Sequence, residues 1–120
     1  MASISATISR DVTPGCTVVT WALGNADSGL PFSLPAAADL TCHTFGTFGG
    51  ATITWQGSSD GTNWHAMTQK GGTSNMAYTT TGNHSPNEMP PFIRAISSGG
   101  TGTAITASLC LFPRWTKNQL

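Results

Sequence analysis

General acid–base chemistry needs one titratable side chain poised beside another, and this 120-residue chain offers three histidines and five acidic residues for such a pair. His43, His65 and His84 are spread over separate segments, as are Asp11, Asp27, Asp39, Asp60 and Glu88. None of them sits in a catalytic motif. His43 and His65 fall within strand-like runs and read as packing or surface residues, while His84 stands in a polar loop between Asn83 and Ser85. The run Ser58-Ser59-Asp60-Gly61-Thr62-Asn63 is rich in oxygen ligands but lacks the Asp-x-Asp-x-Asp-Gly pattern and distal Glu of a calcium loop, so turn chemistry explains it better. The glycine-rich pieces 46–50 and 99–102 carry no following Lys-Ser/Thr and no helix, so they are strand connections and not phosphate loops.

Cys16, Cys42 and Cys110 form an odd, widely spaced set without a Cys-x-x-Cys pair, and read as buried free thiols behaving as small hydrophobes. Of the four tryptophans, Trp21, Trp55 and Trp64 flank turns on strands, where packing is the expected role. Trp115 follows Phe112-Pro113-Arg114 in a tail, where a large aromatic is commonly held by a neighbouring chain or groove. The residue types thus imply a chain that is not an enzyme and needs no metal or cofactor.

Charged residues are 8% of the chain, against about 25% in ordinary soluble domains, and five basic residues balance five acidic ones. No basic footprint for nucleic acid exists, so no nucleic-acid partner is expected. No apolar run approaches the ~18 residues of a membrane helix, so no membrane partner is expected either. The first ten residues lack the basic leader and apolar core of a secretory signal, which predicts a protein kept in the cytoplasm where it is made. A neutral, charge-poor surface gives little colloidal repulsion and favours association.

The elements that would position these residues are strands. Period-two alternation bounded by Gly, Pro, Asn and Asp recurs about eight times, over 2–9, 16–23, 40–45, 51–56, 64–67, 75–80, 92–97 and 103–112. Ile4, Ala6 and Ile8 share one face of the first run, and Val19, Trp21 and Leu23 one face of the second. Segment 30–38 contains Pro31 and Pro35 and is expected to be irregular or an edge, with a single helical turn possible at 35–39. Asp60-Gly61 between two β-rich runs is a strong hairpin signal. Segment 82–91 reads as a loop, and the last strand is apolar on both faces. The expected fold is an all-β, two-sheet sandwich, jelly-roll or immunoglobulin-like. It forms a single domain over 1–120, with a short N-terminal segment and a C-terminal tail at 113–120.

The stretch from Thr44 to Trp64, with its Thr-Phe-Gly-Thr-Phe-Gly-Gly and Gly-Ser-Ser-Asp-Gly-Thr-Asn-Trp pieces, resembles small virion structural proteins of tailed bacteriophages. Pro91-Phe92-Ile93-Arg94 and the closing Gly99-Gly100-Thr101-Gly102-Thr103-Ala104 extend the likeness over about residues 15–112. The resemblance implies a decoration or cement protein on the capsid surface of the virion, made in the host bacterial cytoplasm. Its implied partners are the major capsid protein and itself, as a homo-dimer or trimer. A tail or head-fibre component is the neighbouring possibility, and a discoidin-like carbohydrate-binding module, with Trp64 at the ligand, is the alternative from another class. The expected contact residues are Ile4, Ile8, Leu30, Phe32, Phe112, Pro113, Trp115 and Leu120.

Overall fold

Alternation of apolar and hydroxyl side chains cannot form a helix face, and in the computed structural model, which describes residues 2–10, 15–35 and 38–113, every regular element is a strand. In chain order these are β1 (Ser3–Ile4), β2 (Thr7–Arg10), β3 (Thr17–Leu23), β4 (Ser28–Gly29), β5 (Phe32–Ser33) and β6 (Ala38–Thr47). There follow β7 (Thr52–Ser58), β8 (His65–Ala66), β9 (Ala77–Tyr78), β10 (Gly82–His84), β11 (Phe92–Ser98) and β12 (Ala104–Pro113).

They form two sheets. One has the order β10-β6-β12-β3-β2, and the other β1-β4-β11-β7-β8, with β5 also paired to β11 and β9 to β7. Strands β6 and β12 are the longest and lie side by side through ten paired positions, from Ala104 opposite Thr47 to Pro113 opposite Ala38. The inward residues of the five-stranded sheet include Val19, Trp21 and Leu23 of β3 and Ile105, Ala107, Leu109 and Leu111 of β12. They meet Ile53 and Trp55 of β7 and Ile93 and Ala95 of β11 in one buried cluster, so the chain is a two-sheet β-sandwich.

Trp21 and Trp55 meet across the sandwich edge to face, with centroids 5.9 Å apart and ring planes at 75°. The Trp55 indole donates from Nε1 to Thr44 Oγ1 at 3.0 Å, and Trp21 donates from Nε1 to the Leu30 carbonyl at 2.9 Å. Both ring nitrogens are therefore satisfied where water cannot reach. Strand β4 passes so close to Trp21 that a Cβ on Gly29 would stand 2.6 Å from the Ala95 carbonyl oxygen and 2.7 Å from the indole, which is why glycine occupies that place.

The strand count exceeds the expected eight because short pairings hold residues that alternation does not mark. The first run is two strands, not one: β1 pairs in parallel with β4 in one sheet, while β2 pairs with β3 in the other. Ile4 and Ala6 pack against the core, and Ile8 points to the core side of the other sheet but stays exposed, because β2 is the end strand of that sheet. Segment 30–38 supplies the edge strand β5, as its prolines imply. The stretch expected to be a loop at 82–91 contains β10, paired with β6 from Gly82 opposite Thr44 to His84 opposite Cys42. The helical turn expected at 35–39 falls partly on 36–37, outside the described residues, and Ala38 and Asp39 already open β6. The last strand is apolar inward, and outward it carries Ala104, Cys110 and Phe112 together with the hydroxyls of Thr106 and Ser108.

Candidate functional site

Because side chains alternate across a strand, the inward set of the five-stranded sheet dictates its outward set. On β6 these are Asp39, Thr41, His43 and Phe45; on β12 Thr106, Ser108, Cys110 and Phe112; on β3 Val18, Thr20 and Ala22. Register places His43, Ser108 and Thr20 in one row and Thr41, Cys110 and Val18 in the next. Thr20 Oγ1 and Ser108 Oγ share a hydrogen bond at 3.2 Å. Phe45 and Phe112 are 36% and 46% exposed, far more than aromatic rings in a sandwich core. His43 leans on Phe45 with centroids 4.6 Å apart. Among these outward residues the charged side chain is Asp39, at the margin. The result is a hydroxyl-rich, nearly uncharged face with two open aromatic rings.

The expected contact residues are not all in one place. Ile4 and Leu30 are neighbours at the end of the seven-stranded sheet, joined by a bond from the Leu30 N–H to the Ile4 carbonyl at 2.7 Å, and Leu30 is exposed. Ile8 is exposed on the edge strand β2, opposite Val19 and hence on the core side of that sheet, whereas Phe112 stands on the outer side. Phe32 is in the core cluster, where β5 packs on β11, so the rest of the fold covers it and it offers no contact surface. The backbone of Pro113 pairs with Ala38 at the end of β12. Trp115 and Leu120 lie outside the described residues. Phe45 was not among the expected contacts, although its place in the alternation with Leu40, Cys42 and Thr44 marks it as outward.

Asp60, Glu88 and Arg94 are held by local structure. Asp60 Oδ1 accepts from Ser58 Oγ and from the N–H groups of Thr62 and Asn63, and Oδ2 accepts from the Asn63 amide, so the hairpin loop closes on its own carboxylate. Gly61 turns the chain at φ +77°. Those donors, the Asn63 and Thr62 N–H groups foremost, hold the Asp60 carboxyl well below the usual aspartate range. A lowered folded-state value means that this stabilisation is full above the unfolded value of about 3.9 and is lost only as pH falls through the lower folded one. Asp60 will therefore remain ionised at about pH 3, with the Thr62 and Asn63 amides still protected, as carboxyl chemical shifts and amide exchange by NMR would register. Asp60→Ala should abolish that protection.

A depression of about 260 Å³ lies beside β6, with Asp39, Lys70, Asn87 and Glu88 in its wall. Both Glu88 oxygens are taken by Thr68, from its N–H at 2.8 Å and its hydroxyl at 2.6 Å. The Asn87 amide donates to Thr68, Gln69 and Gly72, so the wall braces the long loop. His84 stacks on Tyr78 with centroids 3.9 Å apart. Trp64, the residue a sugar would stack on, carries the Arg94 guanidinium 4.2 Å above its ring, and that guanidinium is fixed by Gln56. Among the described residues no group of three or more His, Cys, Asp or Glu side chains is placed to hold a metal ion.

The sequence matches no protein-family model and no curated protein. In three dimensions the chain is similar to the crystal structure of SPBc2 prophage-derived protein YomS, with a TM-score of 0.64 at 16% identity, over 80% of this chain and 91% of that one. At that identity the likeness is one of fold, and the β-sandwich described above is the fold the two proteins share.

Proposed function

We propose that the protein is a non-catalytic structural component of a phage particle, a decoration or cement protein that binds the major capsid protein lattice. The observation that carries this reading is the hydroxyl-rich, nearly uncharged face of β6, β12 and β3, with Phe45 and Phe112 open on it. Broad surfaces of this composition bind by shape and apolar contact, with aromatic anchors supplying most of the energy. The prophage origin of a protein with the same fold supports the phage setting.

Cement function follows from linkage. A protein that binds only the assembled lattice stabilises that state by mass action, and contacts to several subunits at once multiply the effect. No deep pocket is required. Self-association as a dimer or trimer would use β2, whose four residues are all exposed and which, among the described residues, is the end strand of its sheet and can accept another strand. Quantitative mass spectrometry of purified particles is expected to find this chain at a copy number comparable to that of the capsid subunit. A few copies per particle would place it in the tail or a head fibre, and none would end the structural reading.

A further inference from the structure

The Sγ atoms of Cys16 and Cys110 lie 3.0 Å apart, although 94 positions separate them in sequence. A disulfide bond is about 2.05 Å long, so closing the pair requires the sulfurs to approach by roughly 1 Å. Sheet register produces this proximity. Val18 stands opposite Cys110 and Thr17 opposite Leu111, which makes Cys16, one residue ahead of β3, the diagonal neighbour of Cys110 on the outer face. Cys42 cannot compete for either thiol. It is fully buried on the inward side of β6, while its neighbour Thr41 is the residue that stands opposite Cys110.

We propose that Cys16 and Cys110 are a redox pair that closes to an intramolecular disulfide by exchange with a low-molecular-weight disulfide of the glutathione type. One cysteine thiolate attacks a sulfur of the donor and releases one glutathione thiolate. The second cysteine then attacks the protein sulfur of the mixed disulfide and releases the other. The two protein thiols give up two protons and two electrons, and one oxidised glutathione becomes two reduced molecules. Cys110 is half-buried and so within reach of the donor. Its burial, helped by the hydrogen bond and charge of Cys16, pushes its thiol up to about 11, so little thiolate exists near neutrality and closure is slow. In a reducing cytoplasm the pair stays open, and in an oxidising medium it shuts. The closed form ties the start of β3 to the central strand β12 and restricts the unfolded chain through a loop of about four-fifths of its length.

The test uses the full chain, incubated with oxidised glutathione or with dithiothreitol, then unfolded, alkylated and weighed. Oxidation is expected to leave one alkylatable thiol, so that the oxidised protein weighs less than the reduced one by two alkyl groups, and to yield a Cys16–Cys110 cross-linked peptide. The melting temperature should rise by about 10 °C over the reduced protein, and Cys110→Ser should erase that difference. Three alkylatable thiols after prolonged oxidation would overturn the proposal, as would a glutathione adduct that persists on either cysteine or a bond between two chains.

Discussion

Trp55→Ala is expected to cost about 3–5 kcal/mol of folding stability, the range for truncating a buried tryptophan, and to lower the melting temperature by roughly 15 °C. Trp55 is fully buried on β7, yet both of its specific contacts reach the opposite sheet, edge-on to Trp21 of β3 and through Nε1 to Thr44 of β6. Truncation removes the ring from the middle of the sandwich and strips a hydroxyl with no access to water of its partner. Against a total of about 5–15 kcal/mol for a domain, this is a large fraction. Trp55→Phe retains a ring and loses the N–H, so it should cost about 1–2 kcal/mol. Urea denaturation of the three proteins checks the order. An alanine variant within about 1 kcal/mol of the parent would mean that the two sheets do not depend on this contact.

The second large effect concerns the outer face. The double substitution Phe45→Asp and Phe112→Asp removes both open aromatic rings and puts two carboxylates where a partner surface would have to desolvate them. If this face binds the lattice, binding to particles lacking the protein should fall by about 100-fold or more, the scale of a lost hot spot. Both side chains are substantially exposed, so the melting temperature should move little. Sedimentation of the variant with such particles measures the first quantity and calorimetry the second. Undiminished co-sedimentation would shift the contact to the Ile4–Leu30 corner, on the other sheet.

What could be read without coordinates was whatever a single strand determines by itself. β3, β11 and β12 alternate cleanly, and β7 does so as far as Gly57, after which Ser58 is buried as well; the buried apolar residues on each are the ones that alternation assigns inward. The Asp60-Gly61 hairpin is equally local. The same rule applied to β6 would have singled out Phe45, whose outward place needed no partner strand to be known. The remainder depends on pairing. Gly82-Asn83-His84 has poor strand propensity and is extended because β6 stands beside it. Nothing in Ser5-Ala6 announces that the chain leaves one sheet for the other, since the alternation continues unbroken through the crossing. The meeting of Cys16 with Cys110 follows from the register of β3 on β12, which no spacing within either strand encodes.

The place of β12, between β6 and β3, governs how this chain can be made. As synthesis proceeds, β3 and β6 emerge long before the strand that joins them, and each waits with an open row of backbone donors and acceptors. A ribosome-bound chain short of residue 104 therefore holds two fragments of a sheet and only one wall of the core. The final assembly step inserts a strand between two others, a non-local closure of the slow kind. Until then, neighbouring nascent chains offer one another the same vacant edges, and crowded expression would select for whatever shields them.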